Sequence, residues 1–142
     1  KQLNANQITL IQGTWSRVLQ TSDEAAEVFY ARLLEIDPSI KILFHGDMKT
    51  QGRKLILMIT ASVNSLNDIS RLLPMVQELG RRHAGYGVRD SHYGSVGSAL
   101  LWTLEQILGD AFTPEAKIAW RETSLLLAGV MKDSAAKTAN AA

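Results

Sequence analysis

Apolar residues recur at steps of three and four along most of the chain, the spacing of one helical face. Ile8, Ile11, Trp15, Val18 and Leu19 form the first such stripe. Asn4 precedes it and Gln7 follows three residues on, the capping-box pattern that predicts a helix start. The stripe runs out near Gln20. Thr21-Ser22-Asp23-Glu24 repeats the pattern, and Ala25, Val28, Phe29, Leu33 and Ile36 carry a second helix to about Ile36, with Tyr30 and Leu34 beside the stripe. Asp37-Pro38 predicts a short third helix through Ile40 and Leu43 to Phe44, because the fixed φ of proline suits the first helical position.

His45-Gly46-Asp47 reads as a loop, followed by a long helix from about Lys49 to Leu66. Asn67-Asp68 breaks it. Ile69 to Leu73 reads as a link, and Pro74 is expected to open a helix that carries Met75, Leu79 and His83 at four-residue steps. Gly85, Gly87 and Asp90 separate this helix from one of about Ser91 to Leu108, with Asp90 as its cap and Gly109 as its stop. Thr113-Pro114-Glu115 caps a last helix to about Asp133. No stretch alternates as a strand does, and no hairpin turn or internal repeat stands out. The fold class is all-α, with about seven helices. The expected domain is 1–134, with an Ala-rich tail, 135–142, that frays.

Composition narrows the function. A chain of 142 residues with 46% hydrophobic residues is one domain with a real core. It holds no cysteine, which excludes disulfide scaffolds, thiol catalysis, Cys-ligated zinc, iron–sulfur clusters and thioether-linked cofactors. A formal net charge of +1 argues against nucleic acid as a partner, since phosphate contacts need a concentrated basic face. The longest apolar run, Leu125 to Met131, falls far short of the roughly 20 residues that span a bilayer. The first residues, Lys1-Gln2-Leu3-Asn4, hold no apolar signal core, so the expected location is cytoplasmic.

The candidate chemistry is sparse. The three histidines, His45, His83 and His92, include no pair at i, i+3 or i+4, so a two-histidine zinc helix is excluded. Gly85-Tyr86-Gly87 lacks the Lys-Ser/Thr of a phosphate loop, and Gly94-Ser95-Val96-Gly97-Ser98 reads as close packing early in a helix rather than a nucleophile elbow. His45 reads as a solvated loop residue and His92 as a solvated first-turn residue. Taken alone, His83 on its apolar stripe reads as an interior histidine, Tyr30 as a core tyrosine and Gln51 as a first-turn residue. One histidine cannot hold a bare metal. It can hold an iron whose other four ligands come from a porphyrin.

Read together, these residues are more specific. The Pro38 turn leads to Phe44, Gln51 opens a helix one turn before Leu55, and His83 follows on a later helix. This ordered set resembles the globin family, and within it the bacterial single-domain globins and the haem domain of flavohaemoglobins. The resemblance covers nearly the whole chain, from Ile8 to Trp120. It is carried by Val28-Phe29-Tyr30-Ala31-Arg32-Leu33, Leu43-Phe44, Gln51-Gly52-Arg53-Lys54-Leu55, Arg81-Arg82-His83, Gly87-Val88-Arg89-Asp90-Ser91-His92-Tyr93 and Val96-Gly97.

The resemblance implies a globin fold around a haem b pocket. His83 is then the proximal iron ligand, and Phe44 lies flat on the porphyrin. Tyr30 and Gln51 face the iron from the distal side, with Leu55 limiting the space between them. Leu79, Val88 and Val96 line the walls, and Lys54 and Arg82 are the candidates for the haem propionates. Tyr93 matches a tyrosine that contacts the proximal histidine together with a glutamate of the last helix. No glutamate stands at that place here, where the chain reads Asp133-Ser134-Ala135. Neutral imidazole character is therefore expected for His83, with its second ring nitrogen bonded to a carbonyl near Leu79. Bis-histidine ligation is not expected, although Tyr30 could ligate ferric iron.

The small ligands implied are O2, CO and NO, with O2 held tightly by two distal donors. The roles that follow are O2 binding, storage or transport, or NO detoxification as an NO dioxygenase served by a separate reductase. The state expected is a monomer or weak oligomer. A haem-based gas or redox sensor domain and a haem-free globin-like interaction domain are the alternatives. A transmitter domain elsewhere in the coding sequence would decide for the first, and absence of a Soret band for the second.

Overall fold

In a computed structural model, the chain is described from residue 3 to 141, with side chains described to 137. The described residues form helices α1 (Ala5–Val18), α2 (Ser22–Ile36), α3 (Met48–Asn64), α4 (Ile69–Gly85), α5 (Asp90–Leu108) and α6 (Pro114–Ala141). Three 3-10 stretches, Leu19–Thr21, Pro38–Leu43 and Gly109–Ala111, join them, and no strand is present among the described residues. The seven helices expected from the sequence are these six and the Pro38–Leu43 stretch.

Capping chemistry sets most of the boundaries. The Asn4 side chain accepts from the Gln7 N–H at 2.8 Å, and Gln7 Oε1 accepts from the Asn4 N–H at 3.0 Å, a complete capping box. Asp47 caps α3 by accepting from the N–H groups of Lys49 and Thr50. Thr113 Oγ1 accepts from the Ala116 N–H at the start of α6. Gly109 ends α5 at φ +54, a conformation glycine adopts without strain.

Other expected boundaries are corrected. Thr21 makes no side-chain cap, because a 3-10 turn runs α1 almost directly into α2. Pro74 does not open a helix: α4 begins five residues earlier, at Ile69. The turn before Pro74 is held by Leu72, which is buried in the main core, so only the one backbone bond that Pro74 cannot donate is lost. Asp90 is not the cap of α5 but its first residue; the cap position is Arg89. The last helix continues past Asp133 to Ala141, since nothing in that alanine-rich stretch breaks it.

The main core joins α1, α4 and α6 with parts of α3 and α5. Trp15 and Trp120 meet in it with ring centroids 5.9 Å apart. Each indole N–H has a hydroxyl acceptor, Thr60 for Trp15 at 2.9 Å and Thr14 for Trp120 at 2.8 Å. Two glycines allow helices to close on each other. A Cβ at Gly80 of α4 would lie 2.5 Å from the Met131 carbonyl oxygen of α6. A Cβ at Gly52 of α3 would lie 3.0 Å from the Ala26 Cβ of α2. The hydroxyl of Ser134, buried in α6, donates to the Gln77 carbonyl of α4 at 2.7 Å and ties the same two helices as Gly80.

A second, smaller apolar cluster unites Phe29, Tyr30 and Leu33 of α2 with Ile40 and Ala99, and the candidate site is built on it.

Candidate functional site

The α2–α3 crossing at Ala26 and Gly52 brings Gln51 to Tyr30. Tyr30 is 8% exposed and stands edge-on to two rings, Phe29 at 5.0 Å and Phe44 at 5.2 Å. Burial pushes the Tyr30 phenol above its usual 10.0, and a hydrogen-bonding contact from the Gln51 side chain pulls it part of the way back. The phenol is therefore protonated, and a donor, at neutral pH. Leu43, Phe44, Leu55 and Val96 pack on the Tyr30 cluster but stay only partly buried. Four of the residues singled out from the sequence, Tyr30, Phe44, Leu55 and Val96, thus share one apolar cluster, with Gln51 at its edge.

The end of α4 adjoins this cluster through Leu43, whose side chain is 3.7 Å from where a Cβ on Gly87 would sit. His83 sits in the last turn of α4, three residues before the C-cap Tyr86. Leu79 lies one turn back, partly buried, and the Val88 N–H donates to the His83 carbonyl at 3.0 Å as the chain turns back. Burial, and then the neighbouring Arg82 charge, holds the His83 imidazole below its usual 6.5, so the ring is neutral at pH 7. Its Nδ1 is buried and has no hydrogen-bond partner among the described residues. The expected bond to a carbonyl near Leu79 is therefore not formed. A neutral imidazole with an unsatisfied buried nitrogen costs about 1–3 kcal/mol that the protein alone does not offset.

Tyr93 of α5 stands with its ring 6.2 Å from the His83 ring. Burial, and then the Asp90 carboxylate, raises its phenol above 10.0. On its other side the Lys132 ammonium of α6 lies 5.9 Å from the ring centroid. Lys54 and Arg82 are both exposed.

The other histidines separate. His45 is exposed in its loop. His92 is not a solvated residue: it is buried, and its Nδ1 accepts from the Arg89 N–H at 2.9 Å, closing the start of α5. A histidine at the third position of a helix behind an arginine is a weak signal for such a cap, and the sequence alone did not reveal it. Phe29, Gly52 and Lys132 were also not singled out as site residues. Gly52 carried the better clue, a glycine inside a helical pattern, which often marks close approach of two backbones.

The apolar wall, the neutral imidazole and the paired distal donors fit a porphyrin iron better than a protein-held metal. No group of three His, Cys, Asp or Glu residues able to hold an ion occurs among the described residues. A surface groove of about 450 Å³ between α4 and α6 is a different feature. Its α4 residues Leu73, Gln77 and Arg81 lie on the helix face opposite Met75, Leu79 and His83.

Residues 27–131 match the family model described as Globin. The chain belongs to the globin family. It is 31% identical over 129 residues to a flavohemoprotein of Xylella fastidiosa, an alignment covering 89% of this chain and 32% of that protein. This globin therefore spans about a third of that relative's length. It is 29% identical over 142 residues to the neuroglobin of Chaenocephalus aceratus, covering 90% of this chain and 89% of that one. A solved structure, a hexacoordinated heme protein from an anhydrobiotic tardigrade, superposes with a TM-score of 0.85 at 16% identity over 93% of this chain and 94% of that one. At that identity the likeness is one of fold. Family membership supports haem binding and small gaseous ligands such as O2. No helix among the described residues is long and apolar enough to cross a membrane.

Proposed function

We propose that this globin holds haem b through His83 and binds O2 tightly through Tyr30 and Gln51. Haem, when bound, supplies an iron that takes up O2 and shifts electron density onto it. The chain's own part is to place donors against that charge. The Tyr30 phenol has one O–H to give and the Gln51 amide two N–H. The observation that carries the reading is that this phenol and this amide contact each other at the edge of one apolar cluster. Hydrogen bonds are stronger there than in water, because little solvent competes for them. A hydrogen bond to a charged group is worth about 1.5–3 kcal/mol, or about ten- to a hundredfold in the rate of O2 loss.

The remaining residues exclude water and orient. Phe44 and Leu55 close the distal side, and Leu79, Val88 and Val96 are the apolar walls. Lys54 and Arg82 are the cations for the propionates. Tyr93 flanks the imidazole, the Lys132 charge beside it disfavours an imidazolium, and with no glutamate at the expected place in the last helix to draw the ring proton His83 is a neutral imidazole rather than an imidazolate. CO is less polar than O2 when held and gains less from the two donors. Tight retention suits consumption of NO, with a separate reductase returning the iron to its ferrous state, better than it suits delivery by release.

Stopped-flow O2 dissociation from Tyr30→Phe and from Gln51→Leu tests the reading. Each is expected to release O2 about ten- to a hundredfold faster than wild type. Unchanged rates in both remove the distal mechanism, and a purified chain with no Soret band removes the haem.

A further inference from the structure

The charges of this chain are segregated. Residues 41–54 carry Lys41, Lys49, Arg53 and Lys54 against one acid, Asp47. Residues 82–90 carry Arg82 and Arg89 against Asp90. Together these two segments hold a net charge of +4 in a chain whose total is +1; with Lys54 and Arg82 given to the propionates, Lys41, Lys49, Arg53 and Arg89 against Asp47 and Asp90 still leave +2 for a partner. All six cations are exposed.

The two segments meet in space. A Cβ on Gly87 would sit 3.7 Å from the Leu43 side chain, an ordinary van der Waals contact. One residue before each member of that pair stands a large apolar side chain in solvent. Ile42 is 75% exposed and Tyr86 70%, and Ile42 is the most exposed large apolar side chain among those described. The same segments carry Phe44 and His83, so this patch rims the mouth of the crevice.

A bare aliphatic and a bare tyrosine on two adjoining segments that carry exposed cations have the makings of a protein interface, an apolar centre with a polar surround. Charge gathered on one face of a near-neutral chain steers a partner of opposite sign. A lipid surface fits less well, because the two apolar residues sit on a 3-10 stretch and a turn rather than on one face of an amphipathic helix. We propose that the Ile42–Tyr86 patch and its lysine and arginine rim are the docking face for an acidic electron-donor protein. The donor gives up one electron, and the iron held at His83 passes from ferric to ferrous with no other bond made or broken. This rests on the haem reading above.

The test uses reduced flavodoxin, an acidic one-electron donor protein, as the probe. Its binding to the full chain is read by fluorescence anisotropy at ionic strengths of about 10 mM and about 150 mM. Its reduction of the ferric protein is read by stopped flow. Lys41→Glu/Lys49→Glu is expected to weaken binding and slow reduction by about tenfold or more at low salt and to flatten the salt dependence. Ile42→Ser/Tyr86→Ser weakens binding and leaves the salt dependence in place. Arg17→Glu/Arg121→Glu, the same change of charge on exposed sites of α1 and α6, leaves binding within about twofold. Equal losses in the two charge-reversed pairs, or loss in neither, overturn the docking face. Rim-dependent binding to phosphatidylcholine/phosphatidylglycerol vesicles with none to flavodoxin also overturns it, in favour of a membrane surface. Anisotropy needs no redox step, so a missing Soret band sinks the haem reading while the docking face is still judged by its own rim dependence.

Discussion

The tryptophan core and the tyrosine crevice are made by the same six helices, but they differ in how far the protein completes them. Around Trp15 and Trp120 the polar atoms are matched: both indole N–H groups have hydroxyl acceptors, and the Thr14 hydroxyl also reaches the Leu10 and Ile11 carbonyls. Across the crevice the His83 Nδ1 is buried without a partner among the described residues, and Phe44, Leu55 and Val96 are only half-covered. One region is finished by its own chain. The other is left short of both polar and apolar contact, as a protein does where a ligand is to supply the rest.

That contrast can be broken at several points. Replacing His83 with Gly is expected to abolish haem retention, seen as loss of the Soret band on purification, with partial return on adding imidazole; retention in the variant would move the iron ligand elsewhere. Trp120→Ala, in the finished region, is expected to cost about 3–5 kcal/mol in denaturant unfolding. Trp120 is 2% exposed, and the Thr14 hydroxyl keeps its two carbonyl partners, so the loss is mainly a cavity. A cost below about 1 kcal/mol would show the core to be looser than its contacts imply. Gly80→Ala forces α4 away from the Met131 backbone and is expected to cost about 1–3 kcal/mol in the same measurement, lowering haem affinity as His83 moves with α4.

The smallest effect is a flat line. The Tyr30 phenol titrates above its usual 10.0, so the proton it donates is present throughout the range below that value and is lost only as the pH rises through the raised value. O2 dissociation is expected to stay constant from neutral pH to about 10 and to quicken only beyond it. Acceleration already near neutrality would mean that another group supplies the decisive proton.

Much of this was legible in the sequence. Long stripes at helical spacing, the Asn4–Gln7 box and Gly109 placed α1 and the end of α5, because local capping and one buried face decide them. Pro74 misled, because tertiary burial of Leu72 outweighed one lost backbone bond. The end of α6 was also misplaced, since an alanine-rich run carries helix propensity but no periodic stripe to reveal it. At the site, Tyr30, Phe44, Leu55 and Val96 came from an ordered spacing that no one of them would have shown. The burial of His92 and the place of Lys132 above Tyr93 were hidden, because each depends on which helices cross and not on local pattern.

The crossing of α2 and α3 carries a lesson for redesign. Ala26 and Gly52 share a gap one methyl wide, so what the geometry demands is the summed bulk of two positions rather than either identity. Moving the methyl across the gap, by Ala26→Gly together with Gly52→Ala, keeps that sum and should hold the phenol and the amide in register. Enlarging either partner alone wedges the helices apart and spoils the oxygen grip without touching the residues that make it.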